Sequence, residues 1–145
     1  MNQMKLFINL LITFFYLFFF TILFAQDSYF KEGKDLFELK KYEDSKFKFE
    51  KDIVFNPKNE KSYLYLAKIF NKEGNDDLEE NNLNTVVLLN PKNEEAIYLL
   101  AALNIKRSDF FKAKELIGTL EIVCEKLCSS KKGLLKELES LSKKQ

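Results

Sequence analysis

The pentapeptide Asn-Pro-Lys-Asn-Glu occurs twice in this sequence, at residues 56–60 and 90–94, and the two copies lie 34 residues apart. A period of 34 residues is typical of repeat proteins in which each unit is a helix, a turn and a second helix. The two copies contain both prolines of the chain, and the chain has only four glycines, so few residues interrupt a helix. The abundant Lys, Glu and Leu are good helix formers. The sequence therefore predicts an all-α protein built from helical hairpins.

The residues that precede the two prolines repeat one order of side-chain sizes. Counted back from Pro57, the positions of the pattern are Tyr29, Gly33, Leu36, Tyr42, Ser45 and Phe49. One period later they are Tyr63, Ala67, Phe70, Asp76, Glu79 and Leu83, and two periods later Ile97, Ala101, Asn104, Phe110, Ala113 and Ile117. A small residue between large ones (Gly33, Ala67, Ala101) lets a second helix cross the first closely. This pattern resembles the tetratricopeptide repeat, although Glu32, Glu79, Asn104 and Glu125 depart from it.

The resemblance implies a right-handed α-solenoid of about three helix-turn-helix repeats, at residues 27–60, 61–94 and 95–128, followed by a capping helix and tail at residues 129–145. The predicted helices are 28–40, 42–55, 60–72, 76 or 77 to 89, 94–106, a sixth that reaches about 124–127, and 129–143. Asn59, Asn93 and Asp109 are the predicted N-caps of three of them. The last helix has an apolar stripe at Leu134, Leu135, Leu138 and Leu141, which predicts a cap; a partner-binding amphipathic helix is the alternative.

Residues 1–25 predict a signal peptide or a membrane anchor. A short start with Lys5 precedes an apolar run that ends at Ala25, a small residue suited to cleavage by signal peptidase. Leu23 is bulkier than the residue preferred at its position, and the run is about long enough to span a bilayer, so an uncleaved anchor is the alternative. Both readings place the remainder across the membrane. The predicted location is the periplasm or the exterior, or else the inner membrane with the repeats facing the periplasm.

Cys124 and Cys128 are the two cysteines of the chain, and an even number in an exported protein favours a disulfide. Inside an unbroken α-helix this spacing holds the two Cβ atoms too far apart for a bridge, so a disulfide requires the helix to end between them. Free thiols are the alternative. Redox motifs have two intervening residues rather than three, and no other Cys or His could complete a metal site. The sequence predicts a structural disulfide between the last repeat and the cap.

Composition argues against an enzyme and against binding to nucleic acid. The chain has no His, which excludes Ser-His and Cys-His nucleophiles, and it has no Gly-rich phosphate loop. Without residues 1–25, which contain Lys5 and no acid, it has 22 basic and 22 acidic residues. A neutral chain has no electrostatic attraction to DNA or to an anionic membrane surface. We expect no catalytic residues, no metal site and no cofactor.

A groove for a protein or peptide partner is what the resemblance implies, because in that family the first helix of each pair lines a concave face. The inward positions would include Phe30, Lys34 and Phe37 in the first repeat, Leu64, Lys68, Asn71 and Lys72 in the second, and Tyr98, Ala102, Ile105 and Lys106 in the third. Lysines and apolar side chains together suit a segment with acidic and apolar residues. The alternative is that the lysines are solvated and the aromatic rings pack between repeats. The carboxylate clamp of some family members is not reproduced, since Phe30 and Leu64 occupy two of its positions.

The function implied by the resemblance is that of a non-enzymatic interaction scaffold in the cell envelope. Similar repeats serve outer-membrane assembly, division and secretion machineries. The alternative is a membrane-anchored accessory subunit of an envelope assembly or secretion complex.

Overall fold

A computed structural model describes the backbone of residues 2–143 and the side chains of that range except residues 2–7 and 17–28. The described part contains seven α-helices and no strand, which confirms the predicted all-α class. They are α1 (Asn2–Glu38), α2 (Tyr42–Phe55), α3 (Glu60–Glu73), α4 (Asp76–Leu89), α5 (Glu94–Lys106), α6 (Phe110–Val123) and α7 (Cys128–Ser142). The chain forms two compact units, Met1–Asn56 and Pro57–Gln145, which are described separately as unit 1 and unit 2.

The first helix differs from the prediction. A separate helix was expected to begin near residue 28, but α1 is one continuous helix from Asn2 to Glu38. No Pro or Gly precedes Gly33, so nothing in the backbone ends a helix at the boundary of the apolar run. The predicted cleavage after Ala25 lies outside the residues whose side chains are described. Among the described side chains, the structure has no helix that combines the length and the apolar character of a membrane span.

Unit 1 is a helical hairpin in which α1 packs closely on α2. A Cβ atom added to Gly33 would lie 2.9 Å from the ring of Phe49, which is fully buried. The hydroxyl of Ser45 on α2 donates a hydrogen bond of 2.7 Å to the carbonyl oxygen of Gly33. Glu32, at a position that is aliphatic in the later repeats, pairs with Lys48 on α2. The small residue of the first repeat therefore lies where the two helices approach each other.

In unit 2, polar side chains determine where the helices begin. The side chains of Asn59, Asn93 and Asp109 accept hydrogen bonds from backbone N–H groups of the first turn of α3, α5 and α6, as predicted. Asn75 caps α4 in the same way and was not identified from the sequence. Each cap satisfies a donor that the helix itself leaves without a partner. The observed helices of unit 2 begin and end within a few residues of the predicted positions.

The core of unit 2 has two parts. One is built around Ala67, Leu83 and Val86 and joins α3, α4 and the start of α5. The other joins α5, α6 and α7 and consists of the buried residues Ile97, Ala101, Ile105, Ala113, Ile117, Leu120, Leu134 and Leu138. Ala67 and Ala101 are both buried, as expected of small residues at helix crossings. The last helix covers the end of the repeats with the apolar stripe that the sequence predicts for a cap.

The disulfide between Cys124 and Cys128 is present, with Cα atoms 5.3 Å apart. As its geometry requires, the helix is interrupted there: α6 ends at Val123 and α7 begins at Cys128. Glu94, the last residue of the second pentapeptide, accepts hydrogen bonds from the backbone N–H groups of Glu125, Lys126 and Leu127. The disulfide and Glu94 thus hold the turn between the last repeat and the cap.

Candidate protein-binding surface

One side of α3 and α5 carries most of the residues predicted to bind a partner. We call this surface the α3–α5 face and define it by Lys61, Leu64, Lys68, Asn71 and Lys72 on α3 and by Glu95, Tyr98, Ala102, Ile105 and Lys106 on α5. Most of these positions are three or four residues apart, so they follow one side of each helix. Tyr98 and Ala102 are partly exposed, and Lys61, Lys72 and Lys106 are exposed. The face therefore presents cations beside a small apolar area.

Two residues predicted to bind a partner belong to the core instead. Leu64 is 8 % exposed and packs with Ala67 and Leu83, while Ile105 is 1 % exposed and packs among α5, α6 and α7. The prediction took every inward position of the family pattern as accessible. Burial of these two side chains contributes about 1.5–3 kcal/mol each to folding, which explains their apolar character without a ligand.

Lys68 connects the two helices of the face. Its ammonium group lies 2.7 Å from a carboxylate oxygen of Glu95 on α5 and 5.0 Å from the centre of the Tyr65 ring. Three quarters of the Lys68 side chain is shielded from solvent, whereas almost half of Glu95 is exposed. The pair neutralises part of the basic character expected from the sequence. Both side chains remain within reach of a molecule bound to the face.

Asn71 has a structural role that the sequence did not indicate. Its amide nitrogen donates to both carboxylate oxygens of Glu79 on α4, at 3.1 and 3.0 Å. Glu79 is only 2 % exposed and occupies the place of the small residues Ser45 and Ala113 in the other repeats. Burial raises the pKa of Glu79 above its ordinary value, while the hydrogen bond from Asn71 lowers it in part. Asn71 remains exposed, so it can meet a partner only while it also holds Glu79.

Lys106 is part of a charge network at one end of the face. Its ammonium group lies 2.6 Å from Asp76, and the neighbouring Arg107 pairs with Asp77 and Glu80, each at 2.6 Å. Lys112 on α6 also pairs with Glu80. The network joins the start of α4 to the α5–α6 turn. Solvent reaches every one of these pairs, although Glu80 is only 20 % exposed, so each pair contributes about 0–1 kcal/mol to stability.

The predicted binding residues of the first repeat lie in unit 1. The ring of Phe30 lies 5.8 Å from that of Phe49, and the ring of Phe37 lies 5.4 Å from that of Tyr42. Lys34 is exposed and is 3.7 Å from Glu38 on the next turn of the same helix. Both rings are partly buried and pack against α2. The alternative had the aromatic rings packing between repeats, whereas these two rings pack between the two helices of the first repeat.

Glu94 was missed as an important residue, although the repeat contained the information. One period earlier, Glu60 accepts a hydrogen bond of 3.0 Å from the side chain of Asn90, at the turn that follows its own repeat. One repeat later, Glu94 also accepts hydrogen bonds at the following turn, but from backbone N–H groups. These bonds lower the pKa of Glu94, and the bond from Leu127 lowers it most. The last residue of each pentapeptide thus fixes the turn about 30 residues further on. Comparing the two copies beyond the prolines could have found this.

The described residues contain no group of three or more Cys, Asp or Glu side chains placed to hold a metal ion. The polar groups of the α3–α5 face are instead lysines, an amide and paired carboxylates. Such groups bind by ion pairing and hydrogen bonding.

Helical hairpins at a 34-residue period, with small residues at the crossings and an additional C-terminal helix, define a fold of the tetratricopeptide type. No protein-family model matches the sequence, and no curated protein matches it. Solved structures of tetratricopeptide domains do match the fold.

Three of the similar structures come from different organisms. The type III secretion chaperone SycD of Yersinia enterocolitica, in complex with a peptide of the translocator YopD, gives a TM-score of 0.73 at 14 % identity over 83 % of this chain and 94 % of that chain. The TPR2B domain of yeast Sti1 in complex with pHsp70 gives 0.74 at 14 % identity, over 80 % and 97 %. The TPR domain of Arabidopsis OM64 gives 0.74 at 16 % identity, over 82 % and 98 %. At these identities the likeness establishes the fold.

Proposed function

We propose that this chain is a non-enzymatic interaction scaffold that binds a protein or peptide segment on the α3–α5 face. The observation that carries the proposal is the combination of exposed Lys61, Lys72 and Lys106 with the partly exposed Tyr98 and Ala102 on that face. Tyrosine next to a small side chain offers an apolar contact with a polar tip, a frequent anchor in interfaces. Lysines around it favour a segment that carries acidic as well as apolar residues. SycD and Sti1, which share the fold, were solved with a peptide and with pHsp70 respectively.

The location that we propose is the periplasm or the cell envelope. The support is the apolar run before Ala25, which has the order of a secretory signal. The disulfide between Cys124 and Cys128 is of the kind that persists in oxidising compartments. If the run is retained as an anchor, the same scaffold is an accessory subunit of an envelope assembly or secretion complex.

Site-specific photocrosslinking in living cells tests the binding surface. A photoreactive phenylalanine at Tyr98 should give a crosslinked product, and the same residue at Phe111, 84 % exposed on α6, serves as the control position. The crosslinked partner is then identified by mass spectrometry. A product at Phe111 that is as strong as the product at Tyr98 would move the binding surface away from the α3–α5 face.

A pair of charge-neutralising variants tests the chemistry of the same face. Lys68→Gln with Lys72→Gln should weaken binding of the identified partner by about 10-fold, the equivalent of about 1.4 kcal/mol. Glutamine does not place a second negative charge against Glu95, so the helices should remain packed. The matched control is Lys114→Gln with Lys132→Gln, two exposed lysines outside the face, for which affinity should not change. Equal losses in both variants, measured by titration calorimetry, would show that only the total charge matters.

A further inference from the structure

The turn between α6 and α7 lacks the residue that ends the earlier repeats. We call residues 124–127 the α6–α7 turn. In the first two repeats, Asn56 and Asn90 cap the helix and a proline follows each of them. A proline lacks the N–H group that a continuing helix needs and clashes with the preceding turn. At the α6–α7 turn, Cys124 is followed by Glu125, and no Pro or Gly occurs between Gly118 and Gly133. The sequence of the turn itself would permit one continuous helix from α6 into α7.

Two devices replace the missing proline. Cys124 has an extended backbone, with φ −66° and ψ 136°. The disulfide to Cys128 requires such a departure from the helix, because residues four apart in a helix hold their Cβ atoms about 5–6 Å apart, beyond disulfide reach. The carboxylate of Glu94 accepts hydrogen bonds from Glu125, Lys126 and Leu127, the shortest at 2.8, 3.0 and 3.0 Å respectively. The disulfide is covalent and reversible, whereas the Glu94 contacts are hydrogen bonds, two of them exposed and the one from Leu127 partly buried.

The direction of α7 depends on this turn. With the chain turned, Leu134 and Leu138 are buried against α5 and α6, next to Ile97, Ile117 and Leu120. If the turn became helical, α7 would extend from α6 and these contacts would be lost, because a helix cannot fold back without an interruption. The disulfide therefore controls a choice between a docked and an undocked cap.

We propose that the Cys124–Cys128 disulfide is a reducible latch, a thiol–disulfide exchange site through which a dithiol reductant releases α7. Cys128 is exposed and Cys124 is partly buried, so an incoming thiolate attacks the sulfur of Cys128. The Cys124 sulfur leaves as a thiolate and takes up a proton. The second thiol of the reductant then attacks the mixed disulfide and frees Cys128, which also takes up a proton. The protein gains two thiols, and the reductant becomes a disulfide.

Reduction removes the constraint of a closed loop that runs from Cys124 to Cys128. The loop-closure entropy of such a short loop corresponds to a change of about 30-fold in the ratio of undocked to docked α7. The Glu94 contacts and the burial of Leu134 and Leu138 keep the docked state favoured in the oxidised protein. The reduced protein opens more often and exposes the apolar side chains beneath α7.

Hydrogen–deuterium exchange with mass spectrometry on the full chain tests the latch. Amides of residues 131–142 should exchange about 30-fold faster after reduction with dithiothreitol, while amides of α3 should not change. Alkylation and mass measurement confirm that two thiols have formed. The double variant Cys124→Ser with Cys128→Ser should exchange at the fast rate with and without dithiothreitol. Any of three results would overturn the proposal: unchanged exchange in the fully reduced protein, slow exchange in the double variant, or a disulfide that resists dithiothreitol under native conditions.

A proline variant distinguishes loss of the interruption between α6 and α7 from a general loss of stability. Glu125→Pro restores the order of the first two repeats, and Lys126 and Leu127 still donate to Glu94. Cys124 already has the extended backbone that a residue before proline prefers. Reduction of this variant should accelerate exchange in α7 by much less than 30-fold. An undiminished acceleration would show that undocking does not proceed through a continuous helix.

Discussion

Glu79 shows what the packing of a helical repeat tolerates at a single position. The other two repeats have Ser45 and Ala113 there, and the structure accommodates a carboxylate only by burying it under the amide of Asn71. Burial disfavours the charged form, and the hydrogen bonds from Asn71 offset this only in part. Glu79 therefore makes the free energy of unfolding of unit 2 depend on pH, an effect that the uncharged Ser45 and Ala113 do not have in their repeats.

The sign of that dependence follows from the direction of the shift. Desolvation raises the pKa of Glu79 in the folded state above its ordinary value of 4.5, so the folded protein binds the proton more tightly than the unfolded chain. The stabilisation is complete below that ordinary value and is lost as the pH rises through the folded-state pKa. In Glu79→Gln, the free energy of unfolding relative to the wild type should rise with pH across this interval. The total rise is about 1.4 kcal/mol for each unit of pKa shift.

Urea denaturation at a series of pH values measures this difference. Asn71→Ala is the matched variant, because it keeps the carboxylate and removes its hydrogen-bond donor. Its free energy of unfolding should fall more steeply with rising pH than that of the wild type. A difference between Glu79→Gln and the wild type that stays constant with pH would mean that Glu79 is as well solvated as in the unfolded chain.

At the scale of the element, α7 is the helix whose role in stability can be tested most directly. Leu134 is 3 % exposed and contacts the core of α5 and α6, whereas Lys136, two residues later, is exposed. Leu134→Ala should lower the free energy of unfolding by about 2–4 kcal/mol, because it removes buried methyl groups and leaves a cavity. Lys136→Ala should change it by less than about 0.5 kcal/mol. Thermal melting of both variants in the oxidised state makes the comparison, and similar melting temperatures would argue against a docked cap.

The helices of unit 2 could be predicted from the sequence because each carries its own boundary signals. Asn59, Asn93 and Asp109 are caps of the expected kind, and the prolines and Gly74 separate neighbouring helices. These signals are local, so no knowledge of packing was needed. The start of α1 was predicted wrongly because the apolar run and the first repeat lack any breaker between them.

Long-range contacts explain what could not be predicted. Glu94 and the residues that it holds are about 31 positions apart, and the pairing of Lys106 with Asp76 spans 30. The candidate surface was predicted as a set of inward positions, but burial of Leu64 and Ile105 depends on how tightly α4, α6 and α7 pack. The spacing of side chains shows which residues share one side of a helix, whereas the neighbouring helices decide whether that side is exposed.

At the scale of the whole molecule, cleavage or retention of residues 1–25 would decide whether the protein is free or attached to a membrane. The proposed cut follows Ala25, and the sequence around it contains one favourable and one unfavourable residue. Ala25 is small, as signal peptidase requires, but Leu23 is bulky at the other position that the enzyme reads. A slow cut would leave a mixture of cleaved and anchored chains. Intact mass measurement of the protein from cells should give a mature chain that begins at Gln26.

Two substitutions test this cut in opposite directions. Leu23→Ala gives the enzyme small residues at both positions, so the cleaved fraction should rise to nearly the whole population. Ala25→Leu removes the favourable residue, so the chain should stay at full length and remain in the membrane fraction after alkaline extraction. Both changes leave the length and apolar character of the run intact, so insertion into the membrane should not differ between them. If Leu23→Ala left the mass at full length, the run would be an anchor and the scaffold a membrane-attached subunit.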